Sequence, residues 1–436
     1  MAIVRPATPL DVFSDVALPR WARYRQYLED DSIVSIPDAV AQAFQRPEVT
    51  AAIAPGARVA LTAGSRGIDR IAEVLKAAVT EVKRLGGEPF VFPAMGSHGG
   101  ATAEGQLALI HHYGVTEDYI GCPIRASMDT VHLGEIDGGV PVWVDRIAYE
   151  QADVVIPVGR VKPHTDFRGP VESGLAKMIA IGMGKQHGAS WFHSQGIGTF
   201  GELIPRVATF TLSQVNIPFG LALVENGLSK LAIIEAVPTE GMFEREAELL
   251  EIAKARLARL PHIPFADVLI VDKIGKDISG DGADPNVINR DVSGELLKSE
   301  IVPKPEVHRV IFRDLTPDTE GNATGVGLGD FVLRQLADKI DPVFTYMNVI
   351  TSKYPGGGRL PMVIDNDRQA IYLAIGSAMH TTTETARIAR IRNTKDVEGL
   401  WISEPLVPEM LATGKVELLG EPQEMAFDAN GMLPAF

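Results

Sequence analysis

A strand-helix-strand pattern near the N-terminus most limits what this chain can fold into. Residues 57–64 (ARVALTAG) form a short apolar run between turn residues, which is typical of a buried strand. Apolar residues then recur at helical spacing as far as Gly86, with Ser65 as the expected N-cap, and a second apolar run follows at 88–94. Two buried strands joined by a helix predict a parallel pair with a right-handed crossover, so we expect an α/β fold.

Further segments extend this pattern into a doubly wound parallel sheet. We expect a helix at 103–113 and a third buried strand at 152–159. The loops after the three strands then carry Arg66, His98 and His164. In open α/β sheets ligands bind beyond the carboxyl ends of the strands, so these loops are expected to form an active site.

The length of 436 residues predicts two α/β lobes, because one hydrophobic core rarely organises so long a chain. We expect an N-terminal domain at 1–263 and a C-terminal α/β domain at 264–436, with the boundary near Pro264 and the active site in the cleft between them. The expected elements of the C-terminal domain are buried strands at 266–275 and 307–312, a helix at 327–340, the apolar run 369–375, short strands at 386–392 and 415–420, and a helix at 407–413.

Composition excludes several classes of function. The formal net charge of -15 argues against a nucleic-acid or anionic membrane surface, either of which would need a basic stripe. The single cysteine, Cys122, cannot form an internal disulfide and fits a reducing compartment. No secretory signal or transmembrane run is recognisable, so we expect a cytoplasmic protein, and no oligomeric state is predicted.

Basic residues are concentrated in one segment of this acidic chain. Between Gly159 and His187 the cations exceed the carboxylates by three; the cations are Arg160, Lys162, Arg168, Lys177 and Lys185, and the carboxylates are Asp166 and Glu172. Such a local reversal of charge predicts an anionic ligand.

Several side chains in and near this segment have the chemistry of a catalytic site. His98, flanked by glycines, and His164, aimed by the preceding proline, suit proton exchange, although a capping or surface-turn histidine would have the same sequence context. Lys177 in an apolar context is either a nucleophile or covalent anchor, or a lysine that extends to solvent. His187 and His193 are candidate metal ligands, although isolated histidines are weak evidence for a metal.

The run Gly182, Gly184, Lys185 imitates a phosphate-binding loop but lacks two of its essential residues. Gln186 stands where a hydroxyl residue is required, and Ile179 stands where an earlier glycine is required. ATP hydrolysis is therefore not indicated.

Five separated motifs, in their order and spacing, resemble the nickel-pincer lactate racemase (LarA) family. They are AGSRGI at 63–68, GSHGG at 96–100, VKPH at 161–164, SGLAK at 173–177, and His193. The resemblance implies a racemase or epimerase that inverts the α-carbon of a 2-hydroxy acid by hydride transfer to and from a nickel-pincer nucleotide. Residues 1–263 would then be the catalytic and cofactor-binding domain.

The resemblance also implies roles for individual residues. Arg66 would hold the substrate carboxylate, with Lys276 as a second candidate, and His98 and His164 would be the acid/base pair. The cofactor is pyridinium-3-thioamide-5-thiocarboxylic acid mononucleotide with nickel.

In the family the cofactor is attached to a lysine, which matches Lys177; Ser173 and Gly174 would contribute to its site, and His193 would ligate nickel. Cofactor-biosynthesis proteins would be the partners that supply it. The family's aspartate three residues before the arginine is Ala63 here, which favours a different 2-hydroxy acid as substrate.

Two other classes of function fit the same residues. The first is a metal-free epimerase or dehydratase that abstracts the α-proton directly with His98 and His164. The second is a small-anion or nucleotide-binding protein, in which the basic segment holds phosphate and the histidines are structural.

Overall fold

The computed structural model describes residues 17–65, 67–136, 138–257, 259–260, 263, 265–292 and 305–436. Its strands are β1 (Trp21–Gln26), β2 (Arg58–Ala63), β3 (Glu88–Pro93), β4 (Thr130–Ile136), β5 (Val140–Asp145), β6 (Val154–Ile156), β7 (Val158–Arg160), β8 (Phe219–Glu225), β9 (Leu231–Pro238), β10 (Phe265–Val271), β11 (Glu306–Phe312), β12 (Phe331–Leu333), β13 (Met362–Ile364), β14 (Ile388–Ile391), β15 (Gly399–Ser403) and β16 (Val416–Leu418).

The helices are α1 (Ile36–Phe44), α2 (Pro47–Ala51), α3 (Ile71–Arg84), α4 (Ala103–His112), α5 (Glu117–Ile120), α6 (Arg146–Gln151), α7 (Leu175–Lys177), α8 (Lys185–Ser194), α9 (Phe200–Gln214), α10 (Met242–Arg256), α11 (Pro285–Ile288), α12 (Arg334–Ala337), α13 (Pro342–Thr351), α14 (Asp367–Ser377) and α15 (Val407–Ala412). A π-helical turn, Met178–Gly182, joins α7 to α8. Among these helices none is long and apolar enough to cross a membrane.

The N-terminal compact unit, residues 30–257, is built on a parallel sheet of order β3-β2-β6. Successive residues of its strands face two different cores: Ala60 packs with the core of α9, whereas Val59 and Leu61 pack with the core of α3. A sheet covered on both faces requires continuously apolar strands, which is the pattern at 57–64 and 88–94. The expected doubly wound α/β arrangement is therefore confirmed.

Helix α3 begins at Ile71, later than expected from a cap at Ser65. Ser65 does not cap it; the N-cap is Arg70, in the left-handed conformation with φ 48°. The intervening residues form a loop with tertiary partners, because the Asp69 N–H donates to Glu225 Oε1 at 2.8 Å and the Ser65 carbonyl accepts from the Tyr113 hydroxyl at 3.0 Å. Long-range partners have replaced the local cap.

The third predicted strand, 152–159, is two short strands around Pro157. β6 pairs with β2, and β7 pairs in parallel with β8, which in turn pairs antiparallel with β9. The segment thus joins two sheets and leads directly into the basic segment. A hairpin of β4 and β5 adds Val142 and Val144 to the core that contains α9.

The C-terminal compact unit contains an eight-stranded sheet of order β13-β12-β11-β10-β14-β15-β1-β16. The five strands from β13 to β14 are parallel, and β15, β1 and β16 continue the sheet antiparallel. β1 comes from the N-terminus, so residues 17–29 group with this unit rather than with the N-terminal domain expected at 1–263. The change between units falls after Leu257; Pro264, the expected boundary, lies outside the described residues.

One expected element of this unit differs in type. The helix predicted at 327–340 is wrong: Phe331–Leu333 is a fully buried strand between β11 and β13, and only the four-residue α12 follows it. The run 369–375 is part of α14, whose N-cap Asn366 accepts from the Gln369 N–H at 3.0 Å. The buried residues of α14 recur at helical spacing. The apolar run is too short for its sequence pattern alone to distinguish a helix from a strand.

Candidate functional site

The loops that follow β2 and β3 meet the π-helical turn that follows Lys177. The Gly96 N–H donates to the Gly182 carbonyl at 3.2 Å. A Cβ placed on Gly64 would lie 3.2 Å from the Met178 methyl carbon. The carboxyl ends of these parallel strands and the basic segment therefore form one region, as expected for an open α/β sheet.

The segment 162–173, which carries His164, is a closed loop. Its ends form an antiparallel bridge, in which the N–H of Lys162 and the carbonyl of Ser173 are 3.0 Å apart and the reverse pair 3.2 Å apart. The loop lies directly on the first turn of α9, where Gly201 leaves no room for a Cβ beside the Arg168 carbonyl.

Two phenylalanines bring three predicted site residues together. The Phe167 ring lies 4.3 Å from the His164 ring and 5.7 Å from Lys177 Nζ. Phe200 lies 5.6 Å from Phe167 and 5.4 Å from the His193 ring. We call His164, Phe167, Lys177, His193 and Phe200 the aromatic cluster. An acid/base candidate, an amine and a candidate metal ligand thus share one partly apolar surface.

The buried carboxylate of Glu172 and the partly exposed guanidinium of Arg168 fix the main chain of His164. The His164 N–H donates to Glu172 Oε2 at 2.6 Å, and the His164 carbonyl accepts from the Arg168 guanidinium at 2.6 Å. Arg168 and Glu172 lie 3.5 Å apart. Burial raises the pKa of Glu172, while the His164 amide and the nearby Arg168 and Lys254 charges oppose that rise.

A second buried carboxylate, Glu246 of α10, holds the turn that carries Lys177. Its Oε2 accepts the Ala176 N–H at 2.9 Å. Gly174 passes so close to Glu246 Oε1 that a Cβ would collide with it, which explains a glycine at this predicted cofactor-binding position. Burial raises the pKa of Glu246 to about 7. Ser173 lies at the bridged end of the loop.

His98 is exposed and anchored to its own loop. Its Nδ1 lies 2.8 Å from the Met95 carbonyl oxygen. The buried Gln106 side chain donates to the Gly96 carbonyl at 2.9 Å and to the His98 carbonyl at 3.2 Å. The loop geometry is therefore set by α4, on which Gln106 lies.

Lys185 is a structural residue, which agrees with the exclusion of a phosphate-binding loop. Its fully buried ammonium group lies 3.0 Å from the Asp145 carboxylate and donates to the Pro93 carbonyl. Burial raises the pKa of Asp145 and lowers that of Lys185, and their mutual attraction opposes both shifts.

The excess of positive charge predicted for the basic segment is reduced by tertiary contacts. Arg160 pairs with Glu225, and Lys185 pairs with Asp145, so two carboxylates from outside the segment neutralise two of its cations. The excess of three positive charges counted along the segment is therefore larger than the net charge of the folded region, because the sequence does not show these distant partners.

Two other predicted residues, His187 and Lys276, lie outside the aromatic cluster. His187 stacks on Trp143 with ring centroids 5.2 Å apart, and its Nδ1 lies 2.9 Å from the Thr130 hydroxyl. Lys276 belongs to the C-terminal unit, where its ammonium group donates to the Gly280 carbonyl at 2.5 Å. Arg66 lies outside the described residues.

Sequence reasoning missed the residues that position the site. Glu172 lies inside the predicted segment but was counted only as a charge, and Glu246 and Gln106 come from distant helices. The signal for Glu246 was available: it is an acidic residue at a core position of α10, among Met242, Leu249 and Leu250. Within the described ranges no group of three His, Cys, Asp or Glu side chains could hold a metal ion by itself.

Comparisons with known proteins find similarity among solved structures. No protein-family model and no curated protein matches it in sequence. Among solved structures it is similar to the lactate racemase apoprotein from Thermoanaerobacterium thermosaccharolyticum, at 14% identity and a TM-score of 0.49, over 86% of this chain and 99% of that chain. It is also similar to a Thermotoga maritima protein, at 14% identity and a TM-score of 0.47, over 66% of this chain and 72% of that chain.

Proposed function

We propose that the chain is a racemase or epimerase of a 2-hydroxy acid that works with a nickel-pincer nucleotide bound at Lys177 and His193. The observation that carries the proposal is the aromatic cluster. It unites His164, Lys177 and His193 from three places in the sequence. The π-helical turn that follows Lys177 also contacts the loop of His98, through the Gly96 N–H and the Gly182 carbonyl.

The residues present are compatible with such a cofactor. Lys177 is half-buried, with its amine over the Phe167 ring, and the turn around it is held rigidly by Glu246. A metal ion carried by a cofactor needs few ligands from the protein, so a single imidazole, His193, suffices where no three-residue metal site exists in the described chain. When bound, the cofactor supplies a carbon that accepts the α-hydrogen as a hydride and returns it.

The residues of the chain would bind the substrate and move its proton. A 2-hydroxy acid that loses its hydroxyl proton to a histidine and its α-hydride becomes a planar 2-keto acid, and return of the hydride to the other face inverts the centre. His98 and His164 are the proposed groups at the substrate hydroxyl, and one of them acts as the acid/base that takes its proton and returns it. Arg66 and Lys276 stay predictions for binding the carboxylate.

The decisive experiment uses protein made in a host that synthesises the nickel-pincer nucleotide. Intact-mass measurement should detect an adduct, which Lys177→Arg should lack. In deuterated water, single enantiomers of lactate, malate, aromatic hydroxy acids and sugar acids are then tested by chiral separation with mass detection. Inversion without deuterium at the α-carbon is the expected result.

A pair of histidine variants controls for general damage. His193→Ala should abolish inversion and lower the nickel content, whereas His187→Ala, which changes a ring stacked on Trp143, should not. Inversion with deuterium would instead support direct proton abstraction. A chain with neither adduct nor inversion would contradict the proposal and favour an anion-binding protein.

A further inference from the structure

The side-chain hydrogen bonds of His98 and His164 run in opposite directions. His98 Nδ1 lies 2.8 Å from the Met95 carbonyl oxygen, which can only accept, so this nitrogen carries a hydrogen. His164 Nδ1 accepts the backbone N–H of Asp166 at 3.0 Å, so this nitrogen carries a lone pair. In a neutral imidazole the two ring nitrogens have opposite states, and the partner of one fixes the other.

We infer that the two histidines rest in opposite tautomers and act unequally on the substrate hydroxyl group. His98 presents a lone pair on Nε2 and takes the hydroxyl proton. His164 presents an N–H on Nε2 and donates a hydrogen bond to the same substrate oxygen. This division of roles rests on the proposed 2-hydroxy acid reaction, whereas the tautomers themselves follow from the hydrogen bonds alone.

Both orientations are held by the surrounding structure. The His98 loop is fixed by the two hydrogen bonds from Gln106 to main-chain carbonyls. The main chain of His164 is fixed on both sides, by Glu172 at its N–H and by Arg168 at its carbonyl. Neither imidazole is therefore oriented by its own rotamer preference alone.

The Asp166 carboxylate favours the other tautomer of His164. Its Oδ2 lies 3.7 Å from His164 Nδ1, which is beyond hydrogen-bond distance, and that oxygen accepts from the Thr165 hydroxyl at 2.9 Å. The backbone amide is closer and can only donate. The amide, and not the carboxylate, therefore sets the state of His164 Nδ1.

The proton and hydride balance follows from this assignment. The hydroxyl proton moves to His98 Nε2 and makes the ring a cation, while Nδ1–H keeps its bond to the Met95 carbonyl and no ring rotation is needed. The α-hydrogen would leave as a hydride, which the bound cofactor would accept, and the substrate would become a 2-keto acid. When the hydride is returned, His98 gives the proton back to the oxygen, and His164 keeps its Nε2–H throughout.

Nitrogen NMR of the chain without cofactor tests the tautomers independently of activity. The protein is labelled with ring-¹⁵N histidine and long-range proton-nitrogen correlations are recorded at about pH 8, above the ordinary pKa of histidine. We expect a protonated Nδ1 and a bare Nε2 for His98, and the reverse for His164. The same tautomer at both positions would overturn the inference.

Variants assign the NMR signals and separate the effect of the Asp166 backbone amide from that of the Asp166 carboxylate. His98→Gln, at an exposed position, removes one set of signals, and Phe167→Leu should shift the His164 set because it removes the ring 4.3 Å away. Asp166→Asn keeps the backbone amide, so the His164 tautomer should persist. A change of tautomer in Asp166→Asn would show that the carboxylate controls it and would overturn the assignment.

The loaded enzyme tests the unequal roles. The rate of 2-keto acid formation in a single turnover should fall about 10²-fold or more in His98→Gln, because the proton acceptor is lost. It should fall less in His164→Gln, since glutamine retains an N–H donor. Equal losses would contradict the roles. If the wild-type protein forms no keto acid, the proposed function fails while the NMR result stands.

Discussion

Glu246 lies fully buried beneath the turn that carries Lys177, and its carboxylate accepts the Ala176 N–H. Removal from water disfavours the charged form, which raises the pKa of this carboxyl from 4.5 to about 7. The same carboxyl therefore holds the turn of the candidate site by a hydrogen bond, while its ionised form is disfavoured by burial.

Glu246 should make the stability of the N-terminal unit depend on pH. Because its folded pKa is above its unfolded value, the folded state binds more protons between these two values, so stability is greatest below about 4.5 and falls as the pH rises through about 7. The full loss is about 3 kcal/mol. Glu246→Gln should largely remove this dependence, as measured by urea unfolding from pH 5 to pH 8.

A matched control for this prediction lies on the same helix. Glu244 of α10 is exposed, so Glu244→Gln should leave the pH dependence of the free energy of unfolding unchanged. An equal dependence in wild type and Glu246→Gln would show that the Glu246 carboxyl is not the group responsible.

At the scale of elements, the site depends on contacts that join strand ends to helices. The β5 residue Asp145 and the first residue of α8, Lys185, form a buried pair whose ammonium group also binds the Pro93 carbonyl at the end of β3. This pair links three elements behind the loop that carries His98. Both charges of this pair have lost their hydration and depend on each other for compensation. Removal of one partner therefore leaves the other charge buried without compensation.

Lys185→Met should therefore destabilise the N-terminal unit by about 3–5 kcal/mol. The double variant Lys185→Met, Asp145→Asn should recover part of that loss because no isolated charge remains. Thermal and urea unfolding measure both. Arg206→Met, which alters a pair with Glu202 in α9 whose side chains are 37% and 80% exposed, should cost less than about 1 kcal/mol. Similar costs for the buried and exposed substitutions would contradict this account.

At the scale of the whole molecule, the chain's N-terminal strand belongs to the C-terminal unit. β1 pairs with both β15 and β16, and Trp21 packs on Trp401 with ring centroids 5.0 Å apart. Without β1, the facing edges of β15 and β16 would lose their backbone partners.

Deletion of residues 1–29 should therefore destabilise the C-terminal unit and spare the N-terminal one. A chain that begins at residue 18 serves as the reference, because it keeps β1. Trp401 reports on the C-terminal unit by fluorescence, and Trp143 and Trp191 report on the N-terminal unit. The fragment 30–257 should fold alone, as judged by circular dichroism and NMR dispersion. Loss of both units together on deletion would contradict this division.

The sequence alone was sufficient for the class of fold, and it named several residues of the candidate site. Continuous apolar runs at 57–64 and 88–94 and the helical spacing between them are local patterns, and they determine a parallel α/β unit because backbone geometry sets their periods. The strand bounds also predict which loops follow the strand ends, and these loops carry His98 and His164. The roles of these residues stay predictions.

Only the tertiary structure decided which charges are neutralised and which groups position the site. Arg160 meets Glu225, Lys185 meets Asp145, and Glu246 meets the turn at Ala176 across long stretches of chain. β1 likewise finds its partners at the far end of the sequence. Such pairings depend on long-range packing, which removes water from specific side chains. No local periodicity encodes which distant residue will contact a given side chain.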